Sequence, residues 1–135
     1  MGTRSLTHII EDDKTLATIY RQYDGYLSGH GQDLAEFLQS MKIVNGFSSD
    51  QRDIANGMGC LSAQIISHLK QGVGNIYLYP PNSKDCWEEY TYHVYNEKIG
   101  EGVKIKAIRK HYESDDEIVF EGTPEELLTK IKSNA

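Results

Sequence analysis

The chain has 135 residues, of which 39% are hydrophobic, and this is enough for a single domain (residues 1–135) that folds without metal or disulfide. Its net charge of −6 argues against a nucleic-acid polymer as partner, because polymer binding needs a basic face, whereas a few local cations suffice for a small anion. No apolar tract has the length of a membrane span and the N-terminus lacks a signal-peptide core, so we expect a cytosolic protein without a membrane partner.

The N-terminal segment predicts a β-hairpin followed by a shaped loop. Apolar and polar residues alternate from Leu6 to Ile10, acidic turn residues follow, and a second β-rich run extends from Lys14 to Tyr23. The stretch from Asp24 to Gly31 contains three glycines, and such a density of conformationally permissive residues is typical of a loop with a specific shape.

Two helices are predicted next. The first covers residues 32–42, with an apolar stripe that ends at Met41. The second begins after N-cap candidates at 48–50 and carries a stripe from Ile54 to Leu69. Small residues make this helix thin, which indicates close packing on the sheet or a second subunit, or else backbone approach to a ligand; they are Gly57, Gly59, Ser62 and Ala63.

The second half reads as strands at 75–79, 88–95, 103–109 and 117–121, with a stiff Pro-Pro turn after the first of them. Thr123, Pro124 and Glu126 then form the capping box of a final helix. The linkers are too short for helical crossovers, so we predict an α+β fold: an antiparallel sheet of about five to six strands, two central helices inserted after the N-terminal hairpin, and a short C-terminal helix.

The residue patterns do not indicate catalysis or metal binding. The five histidines lack a local metal-ligand spacing, and Ser28 is not in a nucleophile-elbow motif. The adjacent Glu88 and Glu89 point to opposite faces of a strand. Cys60 and Cys86 are too isolated to predict a disulfide framework, and Cys60 is interpreted as a core residue. We therefore predict no catalytic set, no metal and no cofactor.

Aromatic and cationic residues are the better candidates for a binding site. Arg21 lies among tyrosines beside the glycine-rich loop, and a second aromatic group surrounds the Pro-Pro turn. Aromatic rings can stack a base while an arginine holds a phosphate with two hydrogen bonds, although tyrosine is also an ordinary half-buried strand residue. Arg109 and its neighbours could add positive potential, or form a solvated strand end.

Three segments resemble a family of small phage and prophage proteins, the first-described Thoeris anti-defence sponges. These segments are residues 20–31 (YRQYDGYLSGHG), 55–61 (ANGMGCL), and 77–81 with 85–90 (YLYPP and DCWEEY). The resemblance implies a protein that binds cyclic ADP-ribose-type signals, and in some members cyclic oligonucleotides such as a trinucleotide, without cleaving them. It also implies a homo-oligomer, as a dimer or trimer of dimers, acting in the host cytosol.

Carried onto this sequence, the resemblance suggests one set of ligand contacts. Arg21 and Arg109 would bind phosphates, Tyr77 and Tyr90 would stack a base, and Asp85 would bind a ribose or a base edge. The loop from Asp24 to Gly31 would supply backbone contacts, and the predicted ligand-binding residues around its start are Tyr23, Asp24, Gly25 and Tyr26.

Two other functions remain open at this point. The first is an inhibitor that binds a host enzyme through its acidic surface, which predicts a protein partner and no co-purifying nucleotide. The second is a small nucleotide-processing enzyme, such as a phosphodiesterase, with His30 or His93 as general base.

Overall fold

A computed structural model describes residues 2–46 and 53–134. The predicted α+β class is confirmed, with the elements in the order β1 (Ser5–Glu11), β2 (Lys14–Arg21), α1 (Gln32–Leu38), β3 (Lys42–Val44), β4 (Ile54–Asn56), α2 (Gly57–Leu69), β5 (Ile76–Tyr79), β6 (Tyr90–Tyr95), β7 (Lys104–Arg109), β8 (Glu117–Gly122) and α3 (Pro124–Ser133). A π-helical turn, Leu27–Gly31, precedes α1. No helix within the described ranges is long and apolar enough to cross a membrane.

The main sheet has six strands in the order β5-β2-β1-β6-β7-β8. The predicted hairpin is confirmed as the antiparallel pair β1 and β2, whose turn places Asp12 and Asp13 in the left-handed region. The prediction of a wholly antiparallel sheet is wrong, because the central pair β1 and β6 is parallel. These two strands are distant in sequence, and the lengths of the linkers between consecutive strands therefore give no information about their relative direction.

The parallel pair requires the chain to cross the sheet between β5 and β6. Residues 80–89, here called the crossing segment, make this connection without a helix. The segment runs over β2, where the Asn82 N–H donates to Thr18 Oγ1 at 3.1 Å. Thr18 and His8 are consequently buried on this face, although no helix covers them.

The opposite face of the sheet holds the core. Residues Ile9, Ile19, Tyr92, Val94 and Ile105 alternate inward on their strands and pack against the apolar stripes of the three helices, including Leu34, Leu61, Ile65 and Leu127. The sheet therefore has a helix-covered face and a second face, which we call the open face, covered only in part by the crossing segment.

Both central helices differ from prediction at their ends. The first stops at Leu38 rather than residue 42, although Met41 is still buried, and Lys42–Val44 pairs in parallel with Ile54–Asn56 as a second, two-stranded sheet. The second helix begins at Gly57, so Ile54 does not belong to its stripe. The N-cap candidates at 48–50 lie outside the described residues. A short β pairing has replaced the helix ends because Lys42–Val44 and Ile54–Asn56 can satisfy each other's backbone groups.

Most of the thin part of α2 faces away from the core, and Ser62 is its buried member. Gly59 and Ala63 are exposed, and a Cβ added at Gly57 or Gly59 would meet nothing within 4 Å. The interpretation of Cys60 as a core residue is wrong for the same reason, since this cysteine lies on the exposed side of the helix. The C-terminal capping box is confirmed: Thr123 accepts from the Glu126 N–H, and the Glu126 side chain accepts from the Thr123 N–H.

Candidate functional site

Three of the predicted site residues lie in one row across the sheet. The strand register aligns Arg21 with Ser5, Ser5 with Tyr90, and Tyr90 with Arg109. Strands are spaced about 5 Å apart, so the Cα atoms of Arg21 and Arg109 are separated by three such steps. All four residues point toward the helix-covered face. The structure therefore places Arg21, Tyr90 and Arg109 on the same face at one end of the sheet.

The Arg21 guanidinium is already engaged in hydrogen bonds to other groups of the protein. Its Nε donates to the Tyr23 carbonyl at 2.7 Å, and its Nη1 donates to Asp33 Oδ2 at 2.7 Å and to His30 Nδ1 at 3.2 Å. Only 17% of the side chain is exposed. A phosphate at this arginine would have to compete with a carboxylate that is already in place.

His30 is a buried, neutral member of the same network. An arginine can only donate, so His30 Nδ1 must accept, and the proton lies on Nε2, which donates to Thr7 Oγ1 at 2.6 Å. Burial, reinforced by the nearby Arg21 charge, lowers the pKa of His30 from 6.5 to about 3. With both ring nitrogens engaged and no exposed surface, His30 has no free atom for a substrate.

The glycine-rich loop uses its backbone to attach to the sheet. The Gly25 N–H donates to the Thr3 carbonyl at 2.8 Å, and the Gly25 carbonyl accepts from the Tyr92 hydroxyl at 2.6 Å. The Tyr26 hydroxyl donates to Asp24 Oδ1 at 3.1 Å, and Asp24 has a φ of 61°. Tyr26 and Asp24 remain exposed, so a ligand could reach their side chains but not the peptide groups of Gly25.

The remaining predicted residues divide between the two faces. Arg109 is exposed on the helix-covered side, 5.4 Å over the Tyr90 ring, and donates to its hydroxyl at 3.2 Å. Tyr77 lies on the open face, where it pairs in register with Tyr20. Asp85 lies in the crossing segment with a φ of 55°. The sequence prediction therefore combined residues from two separate regions.

The larger of two relevant cavities is a groove of about 690 Å³ between α1 and α2. Its ionisable lining consists of one arginine, one histidine and three carboxylates: Arg21, His68, Asp33, Glu36 and Asp53. Asp33 already neutralises Arg21. The groove is therefore unsuited to a phosphate, because two carboxylates remain there without a balancing arginine or lysine among its described lining residues.

The smaller cavity, here called the Arg4 cleft, has a volume of about 460 Å³ and is lined by Gly2, Arg4, Trp87, Glu89 and Tyr112. It lies where the N-terminal segment, the crossing segment and the β7–β8 loop meet. Arg4 Nε is buried and, among the residues that the structure describes, has no hydrogen-bond partner. A buried donor without an acceptor is costly. Because Nε itself is inaccessible, a ligand oxygen relieves that cost only when the guanidinium turns toward the cleft.

Aromatic rings form the wall of the Arg4 cleft. The Trp87 side chain is 75% exposed, and its ring centroid lies 6.5 Å from that of Tyr112 at an angle of 43°. Tyr23, 59% exposed, packs against Gly2 at the same end of the sheet. Burial, and next the neighbouring Glu88, raises the pKa of the Tyr112 hydroxyl above its usual range, so Tyr112 remains a neutral ring and hydrogen-bond donor.

A pair of histidines occupies the open face further along the strands. His8 and His93 meet edge to face with ring centroids 5.6 Å apart, and His8 Nδ1 lies 2.8 Å from Thr18 Oγ1. Burial is the main cause that lowers the pKa of both rings, to about 4 for His93. Within residues 2–46 and 53–134, no group of three or more histidine, cysteine or carboxylate side chains is placed to hold a metal ion.

Sequence reasoning missed Arg4 and Tyr112 and did not select Trp87 or Glu89. One signal was present: Arg4 immediately precedes the β1 run, so alternation assigns it to the same face as Leu6, which is the open face. The contact between this arginine and the crossing segment depends on the parallel pairing of β1 and β6, which the sequence pattern did not reveal.

Comparison of the chain with protein-family models, with curated proteins and with solved structures gives no match.

Proposed function

We propose that the chain binds a compact cyclic nucleotide signal of the cyclic ADP-ribose type in the Arg4 cleft and sequesters it without cleavage. The observation that carries this proposal is the buried, unpartnered Nε of Arg4 beside the exposed ring of Trp87. The choice of this ligand class rests on the sequence resemblance to Thoeris anti-defence sponges. From the same resemblance we propose that the protein also binds cyclic oligonucleotides, forms a homo-oligomer and acts in the host cytosol.

The cleft offers a complementary group for each part of such a ligand. The Arg4 guanidinium can donate to a phosphate oxygen through a charge-assisted hydrogen bond. The exposed face of Trp87 can stack a base, an interaction worth about 1–3 kcal/mol. The exposed carboxylate of Glu89 can accept from ribose hydroxyls. A ligand with sugar donors as well as phosphates fits this mixed lining better than inorganic phosphate does.

Retention without turnover is supported by the state of the histidines. His30 is buried with both ring nitrogens engaged, and the lowered pKa of His93, about 4, makes this histidine a weak base at neutral pH. A sequestering protein needs only high affinity and enough binding sites to lower the free signal concentration by mass action. The proposal therefore requires no residue that transfers a proton.

Calorimetry with cyclic ADP-ribose isomers, cyclic trinucleotides and inorganic phosphate tests the proposal. We expect wild-type protein to bind one of the cyclic nucleotides, and Arg4→Gln and Trp87→Ala each to weaken binding at least about tenfold, as for loss of a charge-assisted bond or a stacked base. Tyr95→Phe is the matched control, because it removes an exposed hydroxyl that donates to Glu121 at 2.9 Å, away from the cleft.

The fate of the nucleotide separates sequestration from its alternatives. After heat denaturation, mass spectrometry should recover the intact nucleotide from the supernatant. Recovery of an altered nucleotide would show an enzyme instead. Absence of binding to every cyclic nucleotide tested, together with capture of a host protein in a pull-down, would favour the inhibitor hypothesis and refute the proposal.

A further inference from the structure

Trp87 adopts a backbone conformation that bulky residues rarely accept. Its φ is 65°, and Asp85, two residues earlier, has a φ of 55°. A bulky residue in the left-handed region is strained and persists only where surrounding contacts fix it. Since the Trp87 ring itself is exposed, those contacts must involve its neighbours in the chain.

Glu88 supplies these contacts from a buried position. Only 1% of this residue is exposed, and its Oε1 accepts from the Cys86 N–H at 2.7 Å. The Tyr112 hydroxyl lies 3.1 Å from the same Oε1 and 2.8 Å from the Glu88 carbonyl oxygen, so it can donate to either. One carboxyl group thus joins the backbone on one side of Trp87 to the ring that faces Trp87.

The backbone after Glu88 fixes the rest of the cleft. The Glu89 N–H donates to the Arg4 carbonyl at 2.9 Å, and the Glu89 carbonyl accepts from the Lys110 N–H at 2.8 Å. Glu88 is therefore directly linked to the aromatic wall, and its neighbour Glu89 is linked to the backbone of Arg4. No other buried acidic residue is present among the described residues.

We infer that Glu88 is a positioning residue: it fixes Trp87 and Tyr112 relative to each other and so preorganises the Arg4 cleft before any ligand arrives. The expected effect of Glu88 on ligand affinity rests on the proposed function. Its expected effect on the order of Trp87 in ligand-free protein does not. Preorganisation raises affinity because less conformational freedom is lost on binding.

Trp87 is the only tryptophan in the chain, so its fluorescence reports this wall directly. The anisotropy of Trp87 and the near-ultraviolet circular dichroism of ligand-free protein should both fall in Glu88→Ala and, to a smaller extent, in Tyr112→Phe. Glu88→Gln keeps an oxygen acceptor at the same place and should restore most of both signals. Tyr95→Phe, which removes another tyrosine–glutamate hydrogen bond, should leave them unchanged.

Calorimetry on the same variants then tests whether the positioning of Trp87 and Tyr112 by Glu88 affects ligand affinity. We expect Glu88→Ala to lower the affinity for cyclic ADP-ribose about tenfold, as for loss of one hydrogen bond to a carboxylate, and Glu88→Gln to lose less. Unchanged Trp87 signals in both Glu88→Ala and Tyr112→Phe would overturn the inference. Wild-type protein that binds no cyclic nucleotide would refute the proposed function alone, because the ligand-free fluorescence still decides whether Glu88 positions the wall.

Discussion

Arg21 illustrates how a side chain with an evident binding chemistry can serve the fold instead. The sequence places it beside a glycine-rich loop and several tyrosines, which is the composition of a phosphate site. In the structure its guanidinium connects three chain segments, through the Tyr23 carbonyl, the Asp33 carboxylate and the His30 ring. Asp33 is twelve residues away, and no sequence pattern indicated that helix α1 would present it to Arg21.

We expect Arg21→Ala to lower the free energy of unfolding by about 1–3 kcal/mol, because His30 Nδ1 and the Tyr23 carbonyl lose their donor. Urea denaturation at neutral pH measures this. Arg109→Ala is the matched control: Arg109 is exposed and donates only to a tyrosine hydroxyl among the described residues, so its removal should change the unfolding free energy by no more than about 0.5 kcal/mol. Equal stability of the two variants would show that the buried network contributes little.

The buried histidine predicts a dependence of stability on pH. The folded-state pKa of His30 is lowered to about 3 from an ordinary value of 6.5, so the unfolded chain binds a proton that the folded chain does not. Stability is therefore complete above pH 6.5 and decreases as the pH falls toward 3. His93, with a pKa lowered to about 4, contributes in the same direction.

Between pH 7 and pH 5 the unfolding free energy should therefore decrease, with a slope that approaches about 1.4 kcal/mol per pH unit for each such histidine. His30→Gln retains a donor and an acceptor but cannot titrate, so its slope should be smaller than that of the wild type. A His30→Gln variant with an unaltered slope would contradict the assignment of a neutral His30.

Secondary-structure elements could be predicted from the sequence wherever contacts between neighbouring residues determine them. Patterns only a few residues long predicted three features correctly: the capping box of Thr123 and Glu126, the β1–β2 hairpin, and the inward face of β6 at Tyr92 and Val94. The predicted end of α1 is wrong because the apolar stripe continues through Met41, whereas Lys42–Val44 pairs with residues twelve positions later in the chain.

The candidate site depends on contacts of the opposite kind. Arg21, Tyr90 and Arg109 are in one row only because β1 pairs with β6 in a particular register. Arg4, Trp87 and Tyr112 meet only because the crossing segment returns to the N-terminal strand. A register of this sort is fixed by the whole core, so a sequence pattern can supply the residue types of the site without supplying their arrangement.

For the whole molecule, the order of strands makes the parallel pair the centre of the structure. Strands β1 and β6 are each paired on both sides, whereas β5 and β8 are edges. The helices cover one face of this centre, and the crossing segment covers part of the other. Local opening should therefore begin at the edges and reach the centre only on global unfolding.

Hydrogen exchange can test this order of stability. The amides of β1 and β6 that pair with a neighbouring strand should exchange slowest, with a free energy close to that of global unfolding, because both neighbours must separate before they are exposed. Amides of β5, a four-residue edge strand, should exchange much faster. If β1 and β2 are protected but β6 exchanges as fast as β5, then the parallel pairing is weak in solution. The Arg4 cleft would then be assembled only part of the time, since Glu89 is attached to Arg4 at the very start of that pair.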